Sequence, residues 1–155
     1  MHPILFNAEN ETATAALGHA LAGVLPPGTT VALCGTLGAG KTRLVQAIAE
    51  GLGVDRREVV SPTFVLIQEY RGRRMIYHID AYRLRDDDEF QQLGPDEYFE
   101  SDGLVLIEWA DRVAGSLPRE YVEIRVEVTG LESRRFEIRG VGRRLEEALA
   151  RLAIK

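Results

Sequence analysis

Apolar residues in this chain occur in two kinds of run, and their alternation predicts an α/β fold. Thr30–Cys34 (TVALC) and Leu104–Glu108 (LVLIE) are short, nearly continuous apolar segments of strand length, the pattern of strands buried on both faces. Other segments repeat apolar residues at helical spacing. Glu11–Leu25 carries Leu17, Leu21 and Val24 on one face, and Arg143–Leu152 carries Leu145, Leu149 and Leu152. Helices are also expected over Thr42–Leu52 and Asp86–Leu93. Asn10 stands where the first helix needs an N-cap, and Pro26-Pro27-Gly28 breaks the chain after it.

Period-two alternation marks the remaining strands. Phe64–Arg71 and Arg73–Ile79 flank Gly72 as a hairpin, and Tyr121–Val128 with Arg134–Arg139 reads as an antiparallel pair. Ile4–Phe6 is a short first strand. No repeat or linker divides the chain, so residues 1–155 are expected to form a single domain, an α/β P-loop NTPase-like fold with a mixed sheet flanked by helices.

Composition narrows the function classes. A length of 155 residues with 45% hydrophobic content is enough for one ordinary core. There is no apolar run of about 18 residues, so no membrane span is expected. The N-terminus lacks the basic and apolar regions of a signal peptide. Cys34 is the only cysteine, which excludes an intrachain disulfide and suits a cytoplasmic location. The formal net charge is −5, so the chain lacks the basic balance of a domain that grips nucleic acid unaided.

Gly35-Thr36-Leu37-Gly38-Ala39-Gly40-Lys41-Thr42 matches the phosphate-binding pattern GxxxxGK(S/T), between an apolar strand and a helical pattern. Its glycines let the backbone curl so that successive N–H groups face phosphate oxygens. The helix that starts near Lys41 presents its positive end to the same anion. Lys41, one of only two lysines in the chain, supplies a point charge, and the Thr42 hydroxyl can ligate Mg2+. ATP is favoured over GTP, because no Asn-Lys-x-Asp segment is present to read guanine.

Such a site needs an acid at a strand end to hold the metal shell or orient water. Two fit: Asp80, ending MIYHID, and Glu108, ending LVLIE. Asp86-Asp87-Asp88-Glu89 is the acidic first turn of a helix rather than a site. His78 shares a strand face with Asp80 and reads as structural or as a support for the metal ligands. Cys34 is expected to pack in the core. Ser61-Pro62-Thr63-Phe64 is either an ordinary turn or a switch loop carrying hydroxyls to the γ-phosphate.

Together these residues resemble the TsaE (YjeE) family. The match rests on Gly38-Ala39-Gly40-Lys41-Thr42, Ser61-Pro62-Thr63-Phe64, His78-Ile79-Asp80-Ala81-Tyr82-Arg83-Leu84 and Ile107-Glu108-Trp109. The resemblance implies an ATPase required for threonylcarbamoyladenosine formation on tRNA, beside the anticodon. It implies TsaB and TsaD as partners. TsaD transfers a threonylcarbamoyl group that TsaC makes as an adenylate, while the ATPase resets or remodels the TsaB–TsaD complex. tRNA would be met only indirectly.

By position, Thr42 and Glu108 would hold Mg2+, and Asp80 would serve hydrolysis. Ser61, Thr63 and Trp109 would lie near the nucleotide in switch-like positions. Glu11, Thr14 and Arg134 would approach the adenine. Arg43 stands where the family often has a second threonine, and little effect is expected from it. Arg56-Arg57 and Arg73-Arg74 are expected to be solvated. Two other classes stay open on the residues alone: a small-molecule P-loop kinase and a nucleotide-gated binding module.

Overall fold

The computed structural model describes residues 2–35, 40–59 and 67–153. Seven strands form one sheet in the order β1-β7-β6-β2-β5-β4-β3. They are β1 (Ile4–Ala8), β2 (Thr30–Gly35), β3 (Ile67–Arg71), β4 (Met75–Asp80), β5 (Leu104–Glu108), β6 (Tyr121–Val128) and β7 (Arg134–Val141). β2 pairs in parallel with β5 and β6, and β4 with β5. The β1–β7, β6–β7 and β3–β4 pairs are antiparallel, so the sheet is mixed as expected. The two continuous apolar runs, β2 and β5, are neighbours at the centre, where both faces are covered.

α1 (Glu11–Val24), α2 (Lys41–Gly51) and α5 (Arg143–Leu149) are the longer helices. Leu17 and Leu21 of α1, Leu44 and Ile48 of α2, and Leu145 of α5 join Val31, Leu33 and Leu106 in one core. Burying each such side chain contributes about 2 kcal/mol. Gly18 permits the close approach of α1 and α2, since a Cβ there would lie 2.9 Å from the Ala47 carbonyl carbon. Asn10 caps α1, its side chain accepting the Ala13 N–H at 2.9 Å. Its loss to alanine should cost about 1 kcal/mol.

A second core, including Ala32, Cys34, Ile79, Phe90, Ile107 and Val113, fills the other face. Short elements cover it: α3 (Asp87–Gln91), α4 (Pro95–Phe99) and a 3-10 segment at Ala110–Ser116. Asp86 caps α3 by accepting the Glu89 N–H at 3.0 Å, which accounts for the acidic run. Sequence periodicity does not reveal α4, because five residues are too few for a period to show. Among the described residues no helix is long and apolar enough to cross a membrane.

One expectation is corrected. Arg74 is not solvated: the β3–β4 hairpin folds back on the helices, and Arg74 donates to the Ala22 carbonyl at 3.0 Å. Burial lowers the pKa of its guanidinium, with Arg73 adding to the effect. Arg57 and Arg73 are exposed as expected, Arg57 pairing with Asp55.

Candidate functional site

The carboxyl ends of the central parallel strands form the rim on which ligands of open α/β sheets bind. β2 leads there into the glycine-rich loop, and α2 leaves it. Gly40 precedes α2 in the left-handed region, with φ 95° and no side-chain cap. The backbone conformation calls for glycine at Gly40, and a Cβ there would also lie 3.3 Å from Arg134 Nε. The uncapped first turn leaves N–H groups for an anion. Leu37, Gly38 and Ala39 of the loop, and Ser61 and Thr63, lie outside the described residues.

Lys41 is only 4% exposed. Its ammonium donates to the Gly35 carbonyl at 2.9 Å and stands 3.4 Å from the centroid of the Trp109 ring. Burial pushes its pKa below the ordinary lysine value, against the opposing pull of Glu108, Asp111 and Asp80.

Trp109 is the only described non-glycine residue with positive φ, at 61°. A bulky side chain in this region stores strain of about 1–3 kcal/mol. Tyr82 holds the indole in place, ring centroids 4.9 Å apart, and Arg112 lies over the far ring at 5.3 Å.

Thr42 Oγ1 lies 3.1 and 3.3 Å from the two carboxylate oxygens of Glu108. Glu108 is 3% exposed, so it is not a solvated strand-end acid. Its other partner is His78, whose Nε2 is 2.5 Å away and which is wholly buried. His78 Nδ1 in turn lies 3.0 Å from the Tyr70 hydroxyl, which is 2.5 Å from Gln68 Oε1. A buried polar chain thus runs Gln68–Tyr70–His78–Glu108–Thr42, from the sheet edge to α2. Leaving a carboxylate buried without partners is costly, and this chain orients it instead. The sequence points to His78 as a support. Tyr70 and Gln68 are missed, because only strand pairing brings them beside it, with Gln68 directly opposite His78.

Asp80 sits beside Glu108 across the β4–β5 pair. Its carboxylate accepts the Tyr82 N–H at 2.9 Å, whereas Thr42 is hydrogen-bonded to Glu108. Burial, foremost, pushes the Asp80 pKa up, and the neighbouring Glu108 charge adds to this. The Tyr82 N–H, His78 and Lys41 act in the opposite direction.

The three residues expected on the adenine side also converge. Glu11, Thr14 and Arg134 line one hollow of about 70 Å³ together with Gly40, Arg43, Leu131 and Glu132. A larger groove of about 860 Å³ includes Cys34, Gly35, Trp109 and Asp111. Its floor is the uncovered face of β6 and β7. There Arg125 opposes Glu137, and Glu127 opposes Arg135, a self-matched charge ladder without excess positive charge for phosphate.

The donor set fits Mg2+. Thr42 and Glu108 offer hard oxygens within 3.1 Å of each other, and this ion takes few protein ligands, completing its shell with phosphate and water. Among the described residues no cluster of three or more His, Cys, Asp or Glu side chains could cage a metal alone.

Known proteins give the family and the fold. Residues 8–136 match the family model for threonylcarbamoyl adenosine biosynthesis protein TsaE. A tRNA threonylcarbamoyladenosine biosynthesis protein TsaE from Bacillus subtilis is 40% identical over 147 residues, covering 94% of this chain and 91% of the relative. One from Treponema pallidum is 42% identical over 115 residues, covering 74% and 84%. The crystal structure of Bacillus subtilis YdiB superposes with a TM-score of 0.81 at 34% identity, covering 97% of this chain and 93% of that one. The chain belongs to the TsaE family, a nucleotide-binding family of threonylcarbamoyladenosine biosynthesis.

Proposed function

We propose that this protein is a Mg2+-dependent ATPase that serves threonylcarbamoyladenosine formation on tRNA by acting on a TsaB–TsaD complex. The observation that carries the reading is the Thr42–Glu108 contact at the buried end of β5, one residue from Lys41. It sets a metal-binding oxygen pair against a phosphate-binding cation. Bound Mg2+ would neutralise charge on the terminal phosphates.

In this reading the loop from Gly35 through Leu37, Gly38, Ala39 and Gly40 cradles the phosphates, and Lys41 supplies positive charge to their terminal end. Thr42 and Glu108 hold the ion. Asp80, beside Glu108 but apart from Thr42, orients the attacking water. Glu11, Thr14 and Arg134 take the adenine end, where a carboxylate suits the exocyclic amino group. Ser61, Thr63 and Trp109 respond to the γ-phosphate as a switch.

Turnover is slow alone and rises with the partners, because a lone phosphate-binding loop often lacks the positive charge or ordered switch that fast hydrolysis needs. With a net charge of −5, the chain meets tRNA through partner proteins rather than directly. Its single cysteine suits the cytoplasm, where this chemistry would take place.

The test is reconstitution. Phosphate release from ATP is measured with and without TsaB–TsaD, and tRNA threonylcarbamoylation with TsaB, TsaC and TsaD, with and without this chain. Release without an added acceptor separates the reading from a kinase. Unchanged rates across a partner concentration series would sink the coupling.

A further inference from the structure

Tyr82 stands in the segment His78–Leu84, and the site described so far gives its ring no task of its own. It lies two residues past Asp80 at the end of β4, as Trp109 lies one residue past Glu108 at the end of β5. Those strands run parallel with Asp80 opposite Glu108, so both aromatic residues leave the sheet at one rim. The Ala81 N–H ties the two exits together by donating to the Glu108 carbonyl at 3.0 Å.

Tyr82 is 44% exposed, so the core does not depend on its ring. The ring packs instead on the indole of Trp109, with centroids 4.9 Å apart and planes tilted by 48°. Aromatic pairs favour tilted contacts of this kind. Trp109 needs such a support. Its left-handed backbone, at φ 61°, is costly for a bulky side chain and persists only where neighbours over-determine it. The same indole carries the Lys41 ammonium 3.4 Å from its centroid. Contacts therefore lead from an exposed ring, through Trp109, to the phosphate-binding cation.

We propose that Tyr82 is a positioning residue of the nucleotide site: its ring fixes Trp109 and, through the indole, the place of the Lys41 ammonium. This rests on the reading of the loop as an ATP site. Lysine has a long, flexible side chain, and holding its ammonium in place before nucleotide arrives lessens the entropy that binding would lose in ordering it. Without the Tyr82 ring the indole loses a support, and the ammonium loses the fixed surface against which it stands.

Three variants test this. Tyr82→Phe keeps the ring, Tyr82→Leu keeps bulk without an aromatic face, and Tyr82→Ala keeps neither. ATP affinity is measured by calorimetry in the wild-type and Trp109→Ala backgrounds, with ligand-free melting temperatures and, where Trp109 is present, its emission. Tyr82→Leu and Tyr82→Ala should weaken ATP binding about fivefold, shift the ligand-free emission to the red and open the indole to acrylamide quenching. Tyr82→Phe should match the wild type. In the Trp109→Ala background the same changes should weaken ATP no further, because the indole through which Tyr82 acts is gone. Ligand-free melting temperatures should stay close to those of the parent proteins, as the ring lies largely outside the core.

Wild-type ATP affinity in both Tyr82→Leu and Tyr82→Ala overturns the proposal. Equal losses in the two backgrounds also overturn it, since Tyr82 would then act without the indole, and so does a loss in Tyr82→Phe as large as that in Tyr82→Ala, which would put the hydroxyl in place of the ring. If the wild-type protein binds no ATP, the ATP-site reading itself fails, and this proposal with it.

Discussion

His78 Nε2 lies 2.5 Å from a carboxylate oxygen of Glu108, and neither side chain is open to solvent. The contact fixes the acid that faces Thr42. His78→Ala should lower unfolding free energy by about 3 kcal/mol, since it leaves both a cavity and a buried carboxylate short of a partner. Tyr70→Phe removes one hydroxyl from the far side of the imidazole and should cost about 1 kcal/mol. Urea unfolding of both variants checks the order. Equal small losses would mean that the histidine does not hold Glu108.

Lys41 and Trp109 give an optical handle. The ammonium stands 3.4 Å from the ring centroid, and Trp109 is the only tryptophan. A cation over an indole perturbs its electrons, so Lys41→Met should change the emission of the ligand-free protein. Phosphate competing for Lys41 should change wild-type emission on ATP addition, and the variant should lose most of that response. Emission spectra over an ATP titration decide it. Identical ligand-free spectra would show that the contact does not persist in solution.

Much of this was legible in the residues. The two apolar runs predict the central strands, and the loop pattern with the acids that end MIYHID and LVLIE marks the candidate site. What escaped needs three dimensions. Tyr70 and Gln68 enter the polar chain only because β3 pairs with β4, and nothing in their spacing marks them. α4 and the 3-10 segment at Ala110–Ser116 are too short or too irregular for periodicity, with Val113 breaking the helical backbone inside the latter. Arg74 looks like a surface arginine in one dimension, and its burial depends on how the β3–β4 hairpin folds against the helices.

Asp80 should make ligand-free stability depend on pH. Burial raises its pKa above the ordinary aspartate value in the folded protein. Its favourable contribution is therefore complete below the unfolded value and is lost as pH rises through the folded value. At neutral pH the ionised group works against the fold. Asp80→Asn keeps an acceptor for the Tyr82 N–H and should raise the ligand-free melting temperature at neutral pH. That gain should shrink as pH is lowered through the aspartate range. Melts of both proteins from about pH 8 to about pH 4 test the sign. A gain that grows on acidification would contradict it.

The neighbouring acids should separate under mutation. Glu108 and Asp80 are paired across β4 and β5, but only Glu108 contacts Thr42. Glu108→Gln keeps the shape and removes the charge from the oxygen pair proposed for Mg2+. It should weaken the Mg2+ dependence of ATP binding, because a charged ligand of the ion is lost. Asp80→Asn leaves Lys41, Thr42 and Glu108 in place, so Mg-ATP should still bind while turnover falls by about a hundredfold or more. ATP titrations read by Trp109 emission at several Mg2+ concentrations, followed by phosphate release, distinguish the two. Loss of Mg2+-dependent binding in Asp80→Asn, with normal binding and poor hydrolysis in Glu108→Gln, would exchange the roles. The Thr42–Glu108 contact would then be a resting arrangement that nucleotide breaks, with Asp80 moving toward the metal as His78 retains Glu108.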